Sequence, residues 1–338
     1  MKAGSLLIVV TVTIAAAAPA FGITVVPAGN VSGTWTADGT PYAVQGPIAI
    51  GTWDTLAIGP GVDVVFLHHD GLTVCGNLQA VGTEADSIRF DAVDTEIGWT
   101  GITFFQDGGG RIEHAAVQHV RSDVWGVSAI TICSSGHVDI VHSAIRDNDG
   151  YAGGGVFLDQ AWGADLTLSR CSISHNNASY AGGGIFGGGT CTIEYCVIAE
   201  NLAYGSEYDS GGGARIDSQY DPVVFDHCTF SRNEGWYGEG LTIFWSSLVT
   251  VANCIFEGHP GLALGNSSYN TVVSYCDFYN NLSDVACLAP PGFGVLVQAN
   301  ANGDSCDVYH DIFLDPLFCD PDAENLSLAA NSPCRDAG

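Results

Sequence analysis

Basic charge is the scarcest property of this chain. Nine lysines and arginines face 37 aspartates and glutamates, for a formal net charge of −28, and Lys2 is the only lysine. A balance this acidic excludes nucleic acid and anionic membrane surfaces as partners, since both need cationic patches. Long apolar runs are missing too. Ser5 to Ala18, 14 residues, is the longest, and it falls short of a membrane span. With Ala18-Pro19-Ala20 behind it, this run reads as a signal peptide over residues 1–20. The mature chain is therefore expected to be secreted, extracellular or held at the cell surface, with no membrane span of its own. Gly-x-Ser-x-Gly, Walker and dinucleotide-binding motifs are absent. Only 14% of residues are charged, yet 46% are hydrophobic, which excludes disorder.

What is present is repetition. Six segments align: VDIVHSAIRDN from Val138, LTLSRCSISHN from Leu166, CTIEYCVIAEN from Cys191, VVFDHCTFSRN from Val223, VTVANCIFEGH from Val249 and TVVSYCDFYNN from Thr271, with a weaker copy from Arg111. Their starts lie 22 to 32 residues apart, the variation expected of a solenoid whose strands stay fixed while its loops differ. Apolar residues two apart mark an inward strand face, two polar residues then break the alternation, and a small residue resumes it. That small residue is Ser143, Cys171, Cys196, Cys228, Cys254 and Cys276 in successive copies. The apolar residue two further on is Ile145, Ile173, Ile198, Phe230, Phe256 and Phe278. An asparagine closes each copy at Asn148, Asn176, Asn201, Asn233 and Asn281, with His259 as the exception.

Equivalent residues in neighbouring coils lie one strand spacing, about 4.8 Å, apart, so each series is a ladder. The cysteines are expected to be buried and unpaired, because parallel side chains point the same way and do not meet. The asparagines are expected to hydrogen-bond from coil to coil. A second motif alternates with the first: YAGGGVF from Tyr151, YAGGGIF from Tyr180, DSGGGARI from Asp209 and YGEGLTI from Tyr237. Its glycines mark sharp corners. Three strands and three corners per coil, all wound one way, define an all-β, single-stranded parallel β-helix, expected to be right-handed. About ten coils are expected from Thr52 to Asn281. The β-helix with its N-terminal cap should span 21–286, and a C-terminal capping segment 287–338. In that last segment Cys287 with Cys306, and Cys319 with Cys334, have the spacing of disulfides that close short loops and stabilise by roughly 3 kcal/mol each.

These repeats resemble the pectin-lyase-like superfamily of right-handed parallel β-helices, and within it exported bacterial repeat proteins whose function is mostly unassigned. The stretch Val31 to Ile50 and the two segments after it resemble the N-terminal capping coils, and Asp315 to Gly338 the closing segment. The resemblance implies the fold and leaves the activity open, since one solenoid hosts many activities. The Asn-Thr-Asp, Asp-Asp, Gly-His-Gly and Arg-Ile-Lys signatures expected of polygalacturonase-like members are absent, as is the lysine available to lyases.

The strand after each glycine-rich corner is where this superfamily builds its groove. By parity its outward positions include Phe157, Asp159, Phe186, Arg215, Asp217, Thr242 and Phe244. Arg215 with Asp159 and Asp217 is the candidate catalytic group. The two aspartates sit two coils apart, roughly 10 Å, a spacing that suits an inverting carboxylate pair, with Arg215 as base or sugar clamp. Tyr151, Tyr180, Tyr204, Tyr208, Trp236 and Tyr237 gather at the corners, where aromatic rings can stack on sugar faces. The first functional reading is a non-catalytic exported module presenting an extended face to a polysaccharide or another surface. The alternative is a polysaccharide lyase or glycoside hydrolase working through the Arg215 cluster. Ca²⁺ is the one cofactor weighed, with Glu207, Asp209, Asp304, Asp307, Asp311, Asp320 and Asp322 as candidate ligands. His114, His142 and His227 recur at one corner without metal-ligand spacing and are expected to stack on the surface.

Overall fold

The computed structural model describes residues 22–159, 163–205, 210–218, 221–244 and 248–335, without the side chain of Cys287. The expected signal segment 1–20, Tyr208, Glu207 and Asp209 lie outside these residues. Among the described residues the chain winds through three long sheets of eleven, eleven and ten strands, visited in turn. Every pairing within them is parallel, as in Val223–Asp226 against Val249–Ala252. The first coil opens at Thr24–Val26 and the last strand of the second sheet is Ser283–Cys287. The solenoid thus begins before Thr52, because the stretch expected to cap it is already wound into regular coils. Three coils carry a fourth strand each, Asp149–Ala152, Asn177–Ala181 and Leu202–Ala203, paired as a short sheet between the first and second.

The expected apolar ladder is in register in the first sheet: Ile145 pairs with Ile173, then Ile198, Phe230, Phe256 and Phe278. Its phenylalanines stack face to face, with centroids 4.7 Å apart for Phe230–Phe256 and 5.0 Å for Phe256–Phe278. The corner between the third and first sheets is a single left-handed residue per coil: His114, His142, Arg170, Tyr195, His227, Asn253 and Tyr275, with φ from 46 to 56. These residues project outward and touch from coil to coil, His114 edge-on to His142 and Tyr195 stacked on His227.

The cysteine after this corner does more than fill space. The Cys171 thiol donates to the carbonyls of Ile140 (3.3 Å) and Ser169 (3.4 Å), and its backbone N–H donates to Cys196 Sγ (3.4 Å). Ser143 does the same with its hydroxyl, donating to Val141 O and accepting from Ala115 N. Each rung satisfies backbone groups that the bend takes out of the sheet. Cys171, Cys196, Cys228, Cys254 and Cys276 are all buried and unbonded.

The glycine motif and the asparagine ladder are one device. Gly182 has φ +64, and a Cβ there would collide with the Ile185 carbonyl. Gly184 and Gly213 lie flat against the amides of Asn201 and Asn233, leaving no room for a side chain.

Beyond residue 287 the chain turns back against the last coil. Asp311 Oδ1 accepts from Cys276 N (2.8 Å), taking the place of the next thiol, and Ile312 bridges to the edge strand at Asp277. Phe293 and Phe313 pack on Phe278. Two antiparallel hairpins follow, Gln298–Ala299 with Ser305–Cys306 and Phe318–Asp320 with Asn325–Leu328. The expected Cys319–Cys334 disulfide is not formed. Cys319 is exposed, whereas Cys334 turns inward and donates to Asp277 Oδ2 (3.1 Å). The Cys287–Cys306 pair falls on a side chain outside the described residues. Alkylation of the native chain followed by mass spectrometry should label Cys319 first. The ladder thiols and Cys191, which burial pushes up to about 12, should label only on unfolding. Rapid native labelling of Cys228 or Cys254 would contradict the ladder.

Candidate binding face

The outer face of the second sheet follows from register. Thr131, Phe157, Phe186, Arg215, Thr242 and Gly265 stand one above another on successive strands. Parity thus placed these side chains on the correct side, but most are not open to solvent. Phe157 and Phe186 are buried and stacked, and Arg215 is 2% exposed. Trp125 and Tyr180, from segments ahead of these strands, lie against Phe157 and Phe186 and cover them.

Arg215 lies among rings, with its guanidinium carbon 4.7 Å from the Phe244 centroid, 5.6 Å from Phe186 and 5.7 Å from Tyr180. Asp217 pairs with it at 3.5 Å. Asp159 accepts from the Cys133 thiol at 3.9 Å. Burial, and then this carboxylate, push that thiol up to about 11. The cation is thus held beneath an aromatic layer, where cation–π attraction is strengthened by the loss of water.

The corner tyrosines divide into two groups. Tyr151 and Tyr180 stack at 5.9 Å, and Trp125 meets both, together with Phe157 and Phe186, at 5.6 to 5.8 Å. Trp236 and Tyr237 stand two coils beyond Tyr180. Trp236 is 66% exposed, and Tyr237 is half-buried and packs against Gly265. Trp125 is 55% exposed and heads the first group. It lies in an unrepeated segment, so no ladder marked it in the sequence.

Beside this ring stack runs a cleft of about 510 Å³, lined among others by Arg121, Asp123, Asp149, Asn177, Ser179 and Tyr204. Asp149 is held from two sides, by Arg121 Nε at 3.2 Å and by Asn177 Nδ2 at 2.8 Å. Tyr204 is 63% exposed at its rim. An aromatic surface next to fixed donors and acceptors can stack on the apolar faces of a ligand and bond to its polar edges. The sequence marks Tyr204 as a corner aromatic but not the cleft, because Arg121 and Asp123 come from a segment that does not repeat.

Four of the C-terminal acids weighed for Ca²⁺ are engaged elsewhere, Asp311 as described above, and Asp320 is exposed. Asp307 accepts from the backbone of Gly294, Tyr309 and Asp311, Asp304 from the Asn300 amide, and Asp322 pairs with Arg232. Among the described residues no helix is long and apolar enough to cross a membrane.

The family described as right handed beta helix region matches residues 82–219 and again 206–314. Metabotropic glutamate receptor-like protein R of Dictyostelium discoideum is 29% identical over 138 residues, which are 39% of this chain and 8% of that protein. The chain therefore spans less than a tenth of that relative's length.

Proposed function

Because the chain belongs to the right-handed β-helix family, we propose that it is a non-catalytic binding module that holds a polysaccharide on the exposed surface between its first and second sheets. The observation carrying this reading is the ring stack of Trp125, Tyr151 and Tyr180 lying beside the polar cleft at Arg121, Asp149 and Tyr204. The ligand class follows from charge. A chain of net −28 repels polyuronates, and Arg121 is already paired with Asp149, so a neutral glycan fits the face best. The burial of Arg215 under aromatic rings supports binding over turnover, since a catalytic base must reach its substrate's proton. The mature protein is taken to act outside the cell, as its leading segment suggests.

Screening the full chain on a glycan array, then measuring affinity for the best neutral polymer, tests this. Trp125→Ala and Tyr204→Ala should each weaken binding by 10-fold or more, with the melting temperature unchanged within about 2 °C for Tyr204→Ala and lowered for Trp125→Ala, which also loses its ring packing. Polymer shortening that disappears in Asp217→Asn would replace binding with catalysis. Unchanged affinity in both aromatic variants would remove the site from this face.

A further inference from the structure

A second series of left-handed corner residues runs along the molecule immediately before the asparagine ladder: Asp147, His175, Glu200, Arg232 and Asn280, with φ from 49 to 58. Their side chains project outward, and the C-terminal hairpin lies across three of them. Arg232 donates to Pro321 O (3.2 Å) and pairs with Asp322 (3.2 Å). Glu324, itself left-handed at φ 58, brings Oε1 to 3.4 Å from His175 Nε2, and Glu200 brings Oε2 to 3.5 Å from the same nitrogen. The three ligand atoms lie within 4.8 Å of one another.

We propose that His175, Glu200 and Glu324 form a site for a divalent transition-metal ion of the zinc class, which pins the C-terminal hairpin to the coils. Charge is the first reason. Two carboxylates of a strongly acidic chain converge on one nitrogen, and a neutral imidazole can donate to only one of them. A cation held between the two carboxylates removes their mutual repulsion, and the Nε2 lone pair supplies its third ligand.

Geometry is the second reason. Zinc bonds nitrogen and carboxylate oxygen at about 2.1 Å, so neighbouring ligands of a tetrahedral ion stand about 3.4 Å apart. Both His175 separations meet that spacing. Space is the third. A cavity of about 40 Å³, lined by Ser172, Ser174 and Ser231 on the coils and Leu326 on the hairpin, adjoins the three groups. It has room for one water as fourth ligand. One imidazole and two carboxylates are too few oxygens for calcium.

The test uses the full chain, stripped with a chelator and dialysed, then titrated with zinc chloride by calorimetry. One zinc per chain should bind, persist in Cys319→Ser, and raise the melting temperature. Glu324→Gln changes an exposed side chain and should leave the metal-free melt unchanged, yet weaken zinc at least 10-fold. His175→Gln should do the same. Zinc should also slow hydrogen exchange over 318–328 in the parent chain and not in Glu324→Gln. Absence of stoichiometric zinc, or equal affinity in Glu324→Gln, would overturn the site. Calcium binding as tightly as zinc would overturn the metal class.

Discussion

Asn201→Ala will lower the unfolding free energy by about 4 kcal/mol. Asn201 is fully buried. Its Oδ1 accepts from both the backbone N–H and the amide of Asn176 (3.0 Å each), and its Nδ2 donates to Ile173 O (2.8 Å) and to Asn233 Oδ1 (3.0 Å). Alanine orphans the Asn176 N–H and the Ile173 carbonyl inside the coil, and each orphan costs about 1–3 kcal/mol. The neighbouring Asn177 is the control. It makes one half-buried amide contact, to Asp149, so Asn177→Ala should cost less than about 1 kcal/mol. Urea unfolding of the three proteins decides. Coils contact mainly their neighbours, so native-state proteolysis should show the weakness near residues 173–202. Equal midpoints for the two variants would mean that the ladder carries no special stability.

His259→Asn should do the opposite and stabilise. His259 takes the asparagine place between Asn233 and Asn281, yet neither ring nitrogen finds a partner among the described residues. Its backbone N–H still donates to Asn281 Oδ1 (3.1 Å), so the backbone there already has the ladder geometry. An amide would restore the acceptor for Asn233 and a donor toward the next coil. At about 1 kcal/mol per recovered bond, less some packing, the gain at neutral pH is about 2 kcal/mol.

The difference should widen in acid. Burial pulls the His259 ring down to about 3 from the ordinary 6.5, so the unfolded chain takes up its proton first. The stability that goes with the neutral ring is complete above pH 6.5 and is lost as pH falls toward 3, by about 1.4 kcal/mol per unit. Glu239, Asp277 and Asp311 run the other way. Burial raises each to about 7, so their penalty is full above pH 7 and relieved as pH falls toward the ordinary carboxylate range. A melt of one protein mixes both signs. The comparison of parent with His259→Asn isolates the histidine, and a gap that stays constant from pH 7 to pH 4 would contradict its burial as a neutral ring.

The coil repeat, the inward ladder from Ile145 to Phe278, the asparagine ladder and the solitary thiols could all be read from the chain. Each depends on a period of two within a strand and on equal residues recurring once per coil, and stacking turns that recurrence into contact. Parity also placed Phe157, Phe186 and Arg215 on one outer face. It could not say what lies over that face, because Trp125, which joins the repeated Tyr151 and Tyr180 there, comes from a segment without a period. The burial of Arg215, the meeting of Trp125 with Tyr151 and Tyr180, and the cleft between Arg121 and Tyr204 belong to the folded corners. So do the unbonded Cys319 and Cys334 and the approach of Glu324 to His175 and Glu200, set by where the C-terminal segment runs after it leaves the last coil. Strand register is encoded locally and repeated, whereas the packing of single loops and of the tail is decided only when the whole solenoid gives them a surface to lie on.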